Sequence, residues 1–217
     1  SQNHNKAREF DLALSHLAYE VLCAKDSFEV EESGKSFAEN ALIKAIAYSK
    51  VYNLPALADD SGLCVDALQG APGIYSARYA SVTNSISRDA ENNKKLLSEL
   101  KLFSSNDRTA HFVCSLALVF PKNERFNDFQ SLNHPNLSSN EDFFIISVEG
   151  YAFGRILEAP RGENGFGYDP LFYHEVLGKT FAEMSSQEKL KVSHRGKAIE
   201  ELCTVLSKLD CNSPILL

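Results

Sequence analysis

Asp59 and Asp60 stand side by side in the run Asp59-Asp60-Ser61-Gly62, directly after the apolar triplet Ala56-Leu57-Ala58. Two adjacent carboxylates are costly to ionise together unless a cation or a basic group lies between them. In open α/β sheets, ligands collect at the carboxyl ends of strands, which is where this pair would sit. Mg²⁺ suits such a place, because it takes oxygen ligands and usually keeps several waters while it binds substrate phosphates. The competing reading of the same four residues is a turn in which Gly62 supplies a positive φ. Glu31-Glu32 is a second acidic pair: either solvated surface or a metal partner for Asp60.

Cationic and glycine-rich segments complete the set. Lys44 falls on the helical stripe shared by Phe37, Ala41 and Tyr48, so it either snorkels to water or reaches an anion. Asn40, one turn earlier, is placed to orient it. Ser1-x-Asn3-x-x-Lys6 leads into a helical pattern, and a hydroxyl, an amide, a lysine and a helix N-terminus together suit a triphosphate. In Gly165-Phe166-Gly167-Tyr168-Asp169-Pro170 the glycines let a backbone approach a ligand closely. Phe166 and Tyr168 are either base-stacking rings or core aromatics. Asp169 is placed to accept a hydrogen bond from base or sugar. Ser193-His194-Arg195-Gly196 precedes the last helix, and the planar fork of Arg195 suits a carbonyl oxygen or phosphate. His194 is either a cap or part of that site, and Lys189 is either solvated or a phosphate ligand.

The elements that must position these groups alternate. Ser36 and Glu39 have capping-box spacing, which predicts a helix from Phe37 to about Val51, broken by Leu54-Pro55. Residues 7–20 carry another helical pattern, and Ser87 caps a third through Leu100. Ala56-Leu57-Ala58 reads as a short buried strand that halts at Asp59. Phe112–Phe120 is nearly all apolar, as in a central strand covered on both faces. Residues 121–142 read as a polar, mobile insertion. Phe143–Val148 and Tyr151–Leu157 read as two strands joined at Glu149-Gly150. Helices follow near 186–192, with Ser185 and Glu188 in capping-box spacing, and near 196–208. This interleaving predicts an α/β class.

Composition narrows the function. The chain has 217 residues and a formal net charge of −7, which argues against broad electrostatic binding to nucleic acid. No apolar stretch approaches the roughly 20 residues of a membrane span. The five cysteines are widely spaced without a C-x-x-C, which fits reduced thiols and a cytoplasmic location better than disulfides or a zinc site. Cys64 and Cys114 lie in apolar surroundings and read as core.

In combination, Ser36–Ala45, Leu54–Leu63 and Gly70–Tyr79 closely resemble the inosine/xanthosine triphosphate pyrophosphatase family, also called Ham1-like or RdgB-like. Gly165–Phe172, Ser193–Gly196 and the Ser1 motif resemble its other signatures, so the resemblance covers almost the whole chain as a single domain, 1–217. It implies an elongated, two-lobed α/β fold with a long mixed central sheet flanked by helices, a nucleotide cleft between the lobes, and a homodimer. The implied reaction is Mg²⁺-dependent hydrolysis of nonstandard purine nucleoside triphosphates (ITP, dITP, XTP) to monophosphate and pyrophosphate. Carried over residue by residue, Ser1, Asn3 and Lys6 would hold the triphosphate and Lys44 a phosphate. Glu31 would be the acidic metal ligand, with Glu32 its neighbour in the adjacent register. Asp60 would be general base and metal ligand beside Asp59, and Ser61 would touch substrate. Phe166, Gly167, Tyr168 and Asp169 would form the base pocket, completed by Lys189, His194 and Arg195. The resemblance also implies a β-strand immediately before Ser1, which this sequence does not contain. Two other readings are a Maf-like nucleotide pyrophosphatase, acting on pyrimidine or methylated nucleotides, and a nucleotide-binding sensor without turnover.

Overall fold

The computed structural model describes residues 28–80, 88–122 and 134–208. The helix expected over 7–20, its Ser1 motif and the Ser87 cap lie outside them. Helix α1 spans Phe37–Tyr52. It starts where expected because Ser36 Oγ accepts from the Glu39 N–H at 3.2 Å. Glu39 turns its carboxylate one residue further back, to the Lys35 N–H at 2.7 Å. The helix ends at Asn53, whose left-handed backbone (φ 51°) lets its N–H donate to the Ser49 carbonyl. Strand β1 (Ala56–Val65), helix α2 (Arg88–Glu99), strand β2 (Thr109–Pro121), strand β3 (Leu137–Ser139) and strand β4 (Phe143–Ile156) follow. Strands β5 (Phe172–His174) and β6 (Lys179–Thr180) precede helices α3 (Ser186–Val192) and α4 (His194–Lys208). The capping box of α3 forms as read: Ser185 Oγ accepts from Glu188 N–H, and the Glu188 carboxylate accepts from Ser185 N–H. No helix among the described residues is long and apolar enough to cross a membrane.

The α/β class is as expected, with one six-stranded sheet in the order β1-β2-β4-β5-β6 and β3 paired to β4. Where a mixed sheet was expected, the pairs β3·β4, β4·β5 and β5·β6 are antiparallel. Three strand readings need correction. The first strand does not stop at Asp59 but runs through Asp59-Asp60-Ser61-Gly62 to Val65, and Gly62 is not among the positive-φ glycines. The two strands expected around Glu149-Gly150 are one continuous β4. From Ser147 to Phe153 exposed and buried residues alternate without interruption, which is the period of a strand with one wet face. The insertion at 121–142 is not an excursion throughout, because Leu137–Ser139 pairs with Phe144–Ile146.

The chain divides into two compact units. Among the described residues, the first comprises 28–60, 114–122, 134–150 and 195–208. Ala41 and Ala45 of α1 pack there against Ala117, Val119, Phe143 and Ile145 of the sheet. Alanines on the helix's inner face let it sit close to the sheet. The second unit comprises 61–80, 88–113 and 151–194. Its core joins Leu63, Leu96, Leu100, Phe112, Ile156, Tyr168, Leu171, Phe172, Phe181 and Met184, including a tilted Phe112–Phe172 pair with ring centres 4.8 Å apart.

Candidate active site

Continuation of β1 through the acidic pair decides the geometry. Successive strand residues point to opposite faces, so Asp59 and Asp60 do not form a shared carboxylate site. Each faces its own cation. Asp60 Oδ1 accepts from Lys44 Nζ at 3.1 Å, and Asp60 Oδ2 accepts from Asn40 Nδ2 at 3.2 Å. Asp59 Oδ2 lies 3.7 Å from Arg195 Nη2.

Helix α1 supplies both partners of Asp60. Asn40 and Lys44 are four residues apart, hence on one face. Asn40 is fully buried, and its Oδ1 accepts from the Gly34 N–H at 2.9 Å. Its amide is thereby fixed between the chain entering α1 and the carboxylate on β1. Lys44 reaches anions rather than water: its Nζ also donates to Glu32 Oε1 at 2.8 Å. Glu32 is thus the carboxylate that shares Lys44 with Asp60, whereas Glu31 is exposed. Burial pushes the Asp60 carboxyl above its usual range, and the Lys44 ammonium offsets this only in part. Burial alone would depress Lys44, but Asp60, Glu32 and Asp59 outweigh it and hold the ammonium above its ordinary value.

These carboxylates form an oxygen-only donor set around a positive charge, which fits a hard divalent cation. Among the described residues no group of three His, Cys, Asp or Glu side chains forms a cage that could hold a metal ion. Mg²⁺ characteristically binds through one or two carboxylates plus substrate phosphates rather than in such a cage. The residues present thus fit that ion.

The glycine-rich loop of the second unit is built around a buried ion pair. Asp169 Oδ2 accepts from Lys189 Nζ at 2.8 Å and from the Phe166 N–H at 2.9 Å. Both side chains are almost fully buried, with exposures of 4% and 6%. Gly165 has φ +78°, and a Cβ there would collide with the Asp169 carboxylate, so the loop can wrap this group only with glycine. The base-pocket residues expected from sequence accordingly divide. Phe166 is half-buried, with Lys189 Nζ 4.7 Å from its ring centre. Tyr168 is a core residue rather than a stacking surface: its ring is 4% exposed, and its hydroxyl donates to the Ser76 carbonyl at 2.9 Å. Asp169 is engaged by Lys189 and Phe166, and Lys189 is not solvated. Gly167 takes φ +61°.

His194 and Arg195 are buried at the start of α4, 4% and 1% exposed. The His194 ring stacks on Phe112 with centres 4.7 Å apart. Ser61 is half-buried on β1 next to Asp60. Ser1, Asn3 and Lys6 lie outside the described residues. Sequence reasoning missed Asp89 and Asn93 of α2, which hold the N–H and the carbonyl of Gly167. No local signal marks them, because their target is distant in the chain.

The six-stranded sheet flanked by helices defines an α/β protein. The chain belongs to the Ham1 family, whose pattern it matches over residues 1–205. It is 47% identical over 205 residues to a dITP/XTP pyrophosphatase of Syntrophobacter fumaroxidans, covering 93% of this chain and 78% of that one. A dITP/XTP pyrophosphatase of Bacillus licheniformis is 42% identical over 211 residues, covering 96% of each. The solved structure of a HAM1 protein from Coxiella burnetii superposes with a TM-score of 0.78 at 39% identity, covering 96% of each chain.

Proposed function

We propose that this protein is a Mg²⁺-dependent nucleoside triphosphate pyrophosphatase that converts nonstandard purine nucleotides (ITP, dITP, XTP) to the monophosphate and pyrophosphate. The observation that carries the reading is the Asp60–Lys44–Glu32 cluster, in which a carboxylate of raised proton affinity sits beside a lysine and a second carboxylate. The names of the relatives support the substrate class.

Asp60 and Glu32 would hold the ion. Bound there, Mg²⁺ would neutralise charge on the phosphate oxygens. Asp60 orients a water and accepts its proton as the oxygen attacks the α-phosphorus. The bond from that phosphorus to the bridging oxygen breaks, and pyrophosphate leaves with the electron pair. Asn40 fixes the Asp60 carboxylate during this exchange. Lys44 stabilises negative charge on the phosphates once it is drawn from the acidic pair. Ser1, Asn3, Lys6 and Ser61 contribute further phosphate and sugar contacts in this reading. Phe166 offers the face on which a base stacks, and His194 and Arg195 supply donors to the 6-oxo group. Adenine presents an amino group there, and a donor left facing a donor discriminates strongly. A homodimer and a cytoplasmic location belong to the same reading through the family likeness.

The test is pyrophosphate release from ITP, dITP, XTP, GTP, ATP, UTP and dTTP across a Mg²⁺ titration, with Asp60→Asn alongside. Preference for the first three and a loss of at least about 10³-fold in the variant support the reading. Faster turnover of UTP or dTTP supports a Maf-like activity instead. Binding without product over hours supports a sensor. Full activity of Asp60→Asn removes Asp60 as the base.

A further inference from the structure

Helix α2 carries no residue of the catalytic cluster, yet two of its side chains reach the glycine-rich loop at one residue, one on each of the peptide units that flank it. The Gly167 N–H donates to Asp89 Oδ2 at 2.7 Å. The Gly167 carbonyl accepts from Asn93 Nδ2 at 2.9 Å. Asp89 and Asn93 are four residues apart, so both project from one face of α2. Both polar groups of a single glycine are thus held by one helix.

Gly167 needs such a hold. Its φ of +61° is a conformation that glycine enters and leaves readily. Nothing lies within 4 Å of the place its Cβ would occupy, so packing does not pin it on that side. Its neighbours have their own anchors: Phe166 N–H is fixed by Asp169, and Tyr168 is buried with its hydroxyl on Ser76. Gly167 between them is therefore the soft point of the loop, and it is next to the half-buried Phe166. The same helix sends Asn92 to the Ala80 N–H at 2.6 Å and to the Ser76 carbonyl at 3.3 Å. Tyr168 and Asn92 both bond to Ser76, so α2 and the loop share a fixed frame.

We propose that Asp89, seconded by Asn93, is a positioning residue for purine recognition: it locks the Gly167 backbone and thereby the orientation in which Phe166 meets the base. This rests on the functional reading above. Asp89 is the stronger hold, because a hydrogen bond to a carboxylate is charge-assisted. Asn93 Oδ1 is buried and has no hydrogen-bond partner among the described residues. An apolar residue there removes an unsatisfied oxygen together with the donor to the Gly167 carbonyl, and the two changes offset each other in stability.

The experiment has a ligand-free arm and a kinetic arm. The chain contains no tryptophan, so Phe166→Trp places a sole tryptophan in the loop, excited apart from the tyrosines at the red edge of their absorption. Adding Asp89→Ala to it is expected to raise the acrylamide quenching constant about twofold, and adding Asp89→Asn, which keeps an acceptor, less so. In the Phe166 background of the natural chain, Asp89→Ala is expected to raise KM for ITP roughly tenfold with kcat within about twofold, as for an orientation defect. Asn93→Leu is expected to raise KM about threefold with little change in melting temperature. The inhibition constant of pyrophosphate, which lacks a base, stays as in the natural chain. Unchanged quenching overturns the inference, as does an equal fall of kcat on every nucleotide. Absence of ITP turnover in the natural chain overturns the functional reading instead, and is told apart because the quenching arm needs no substrate.

Discussion

Replacing Lys189 by methionine removes the positive half of the pair inside the glycine-rich loop while keeping most of the side chain's volume. The pair is 2.8 Å apart and nearly dry, 6% and 4% exposed. Removing one partner of such a pair leaves an uncompensated buried charge, at about 3–5 kcal/mol. Asp169 retains the Phe166 N–H, which places the expected loss toward the lower end of that range. For a chain of this length each kcal/mol moves the midpoint by about 2–4 °C, so the melting temperature should fall by roughly 6–20 °C. Urea unfolding of the metal-free protein at pH 7 measures the free energy, and thermal scans measure the midpoint. Combining Lys189→Met with Asp169→Asn removes the stranded charge, so the double variant should be more stable than Lys189→Met alone, a coupling readable from a double-mutant cycle. A loss under about 1 kcal/mol for Lys189→Met, or additive effects of the two substitutions, would refute the buried-charge reasoning.

Other outcomes follow from the acidic cluster. Asp60 must be ionised to accept a proton, and burial raises its carboxyl above 3.8; the acid limb of kcat/KM should therefore lie above that value, and Lys44→Met should move it to higher pH. The same shift has a stability sign. The native state holds the Asp60 proton more tightly than the unfolded chain, so its contribution is present below 3.8 and lost as pH rises through the folded value. Asp60→Asn should accordingly melt higher than the natural chain at pH 7 while losing turnover, and a lower midpoint contradicts this. Asp59→Asn removes the carboxylate charge beside Arg195, so it should weaken selectivity between ITP and ATP yet leave the Mg²⁺ concentration for half-maximal rate unchanged; a shifted Mg²⁺ dependence would make Asp59 a ligand after all. Asn40→Ala strands the Gly34 N–H and frees one oxygen of Asp60, at about 1–3 kcal/mol in urea unfolding.

What could be read from sequence was what is local. Helix α1 and its Ser36 cap, the Ser185–Glu188 capping box and the apolar run of β2 depend on residues a few positions apart, and all appear in the structure. Lys44 was legible as a cation on an apolar stripe, because that conflict shows in any helical projection. Errors arose where turn-forming residues sit within sheet strands. Asp59-Asp60-Ser61-Gly62 and Glu149-Gly150 have turn composition, but the sheet carries both segments through as strand. For Glu149 the cross-strand hydrogen bond from Ser115 Oγ at 2.6 Å is one such tie. The roles of Asp89 and Asn93 were not legible at all: their contacts to Gly167 span 78 and 74 positions of sequence, and each residue alone looks like ordinary polar surface of a helix.

The acidic pair shows why such an error reaches the chemistry. Repulsion between neighbouring carboxylates is sound physics, and it argues for one shared cation only if both groups point the same way. In a strand they do not. The demand for positive charge is met twice, by Lys44 for Asp60 and by Arg195 for Asp59. The second carboxylate near Asp60 is then not its neighbour in the chain but Glu32, brought in through Lys44. A divalent cation entering this cluster competes with an ammonium already in place. Its binding should therefore be weak in the free protein and strengthen when phosphates arrive to draw Lys44 away. Calorimetric titration of Mg²⁺ with and without a non-hydrolysable ITP analogue measures that difference, and equal affinities in the two titrations would mean that Lys44 does not guard the site.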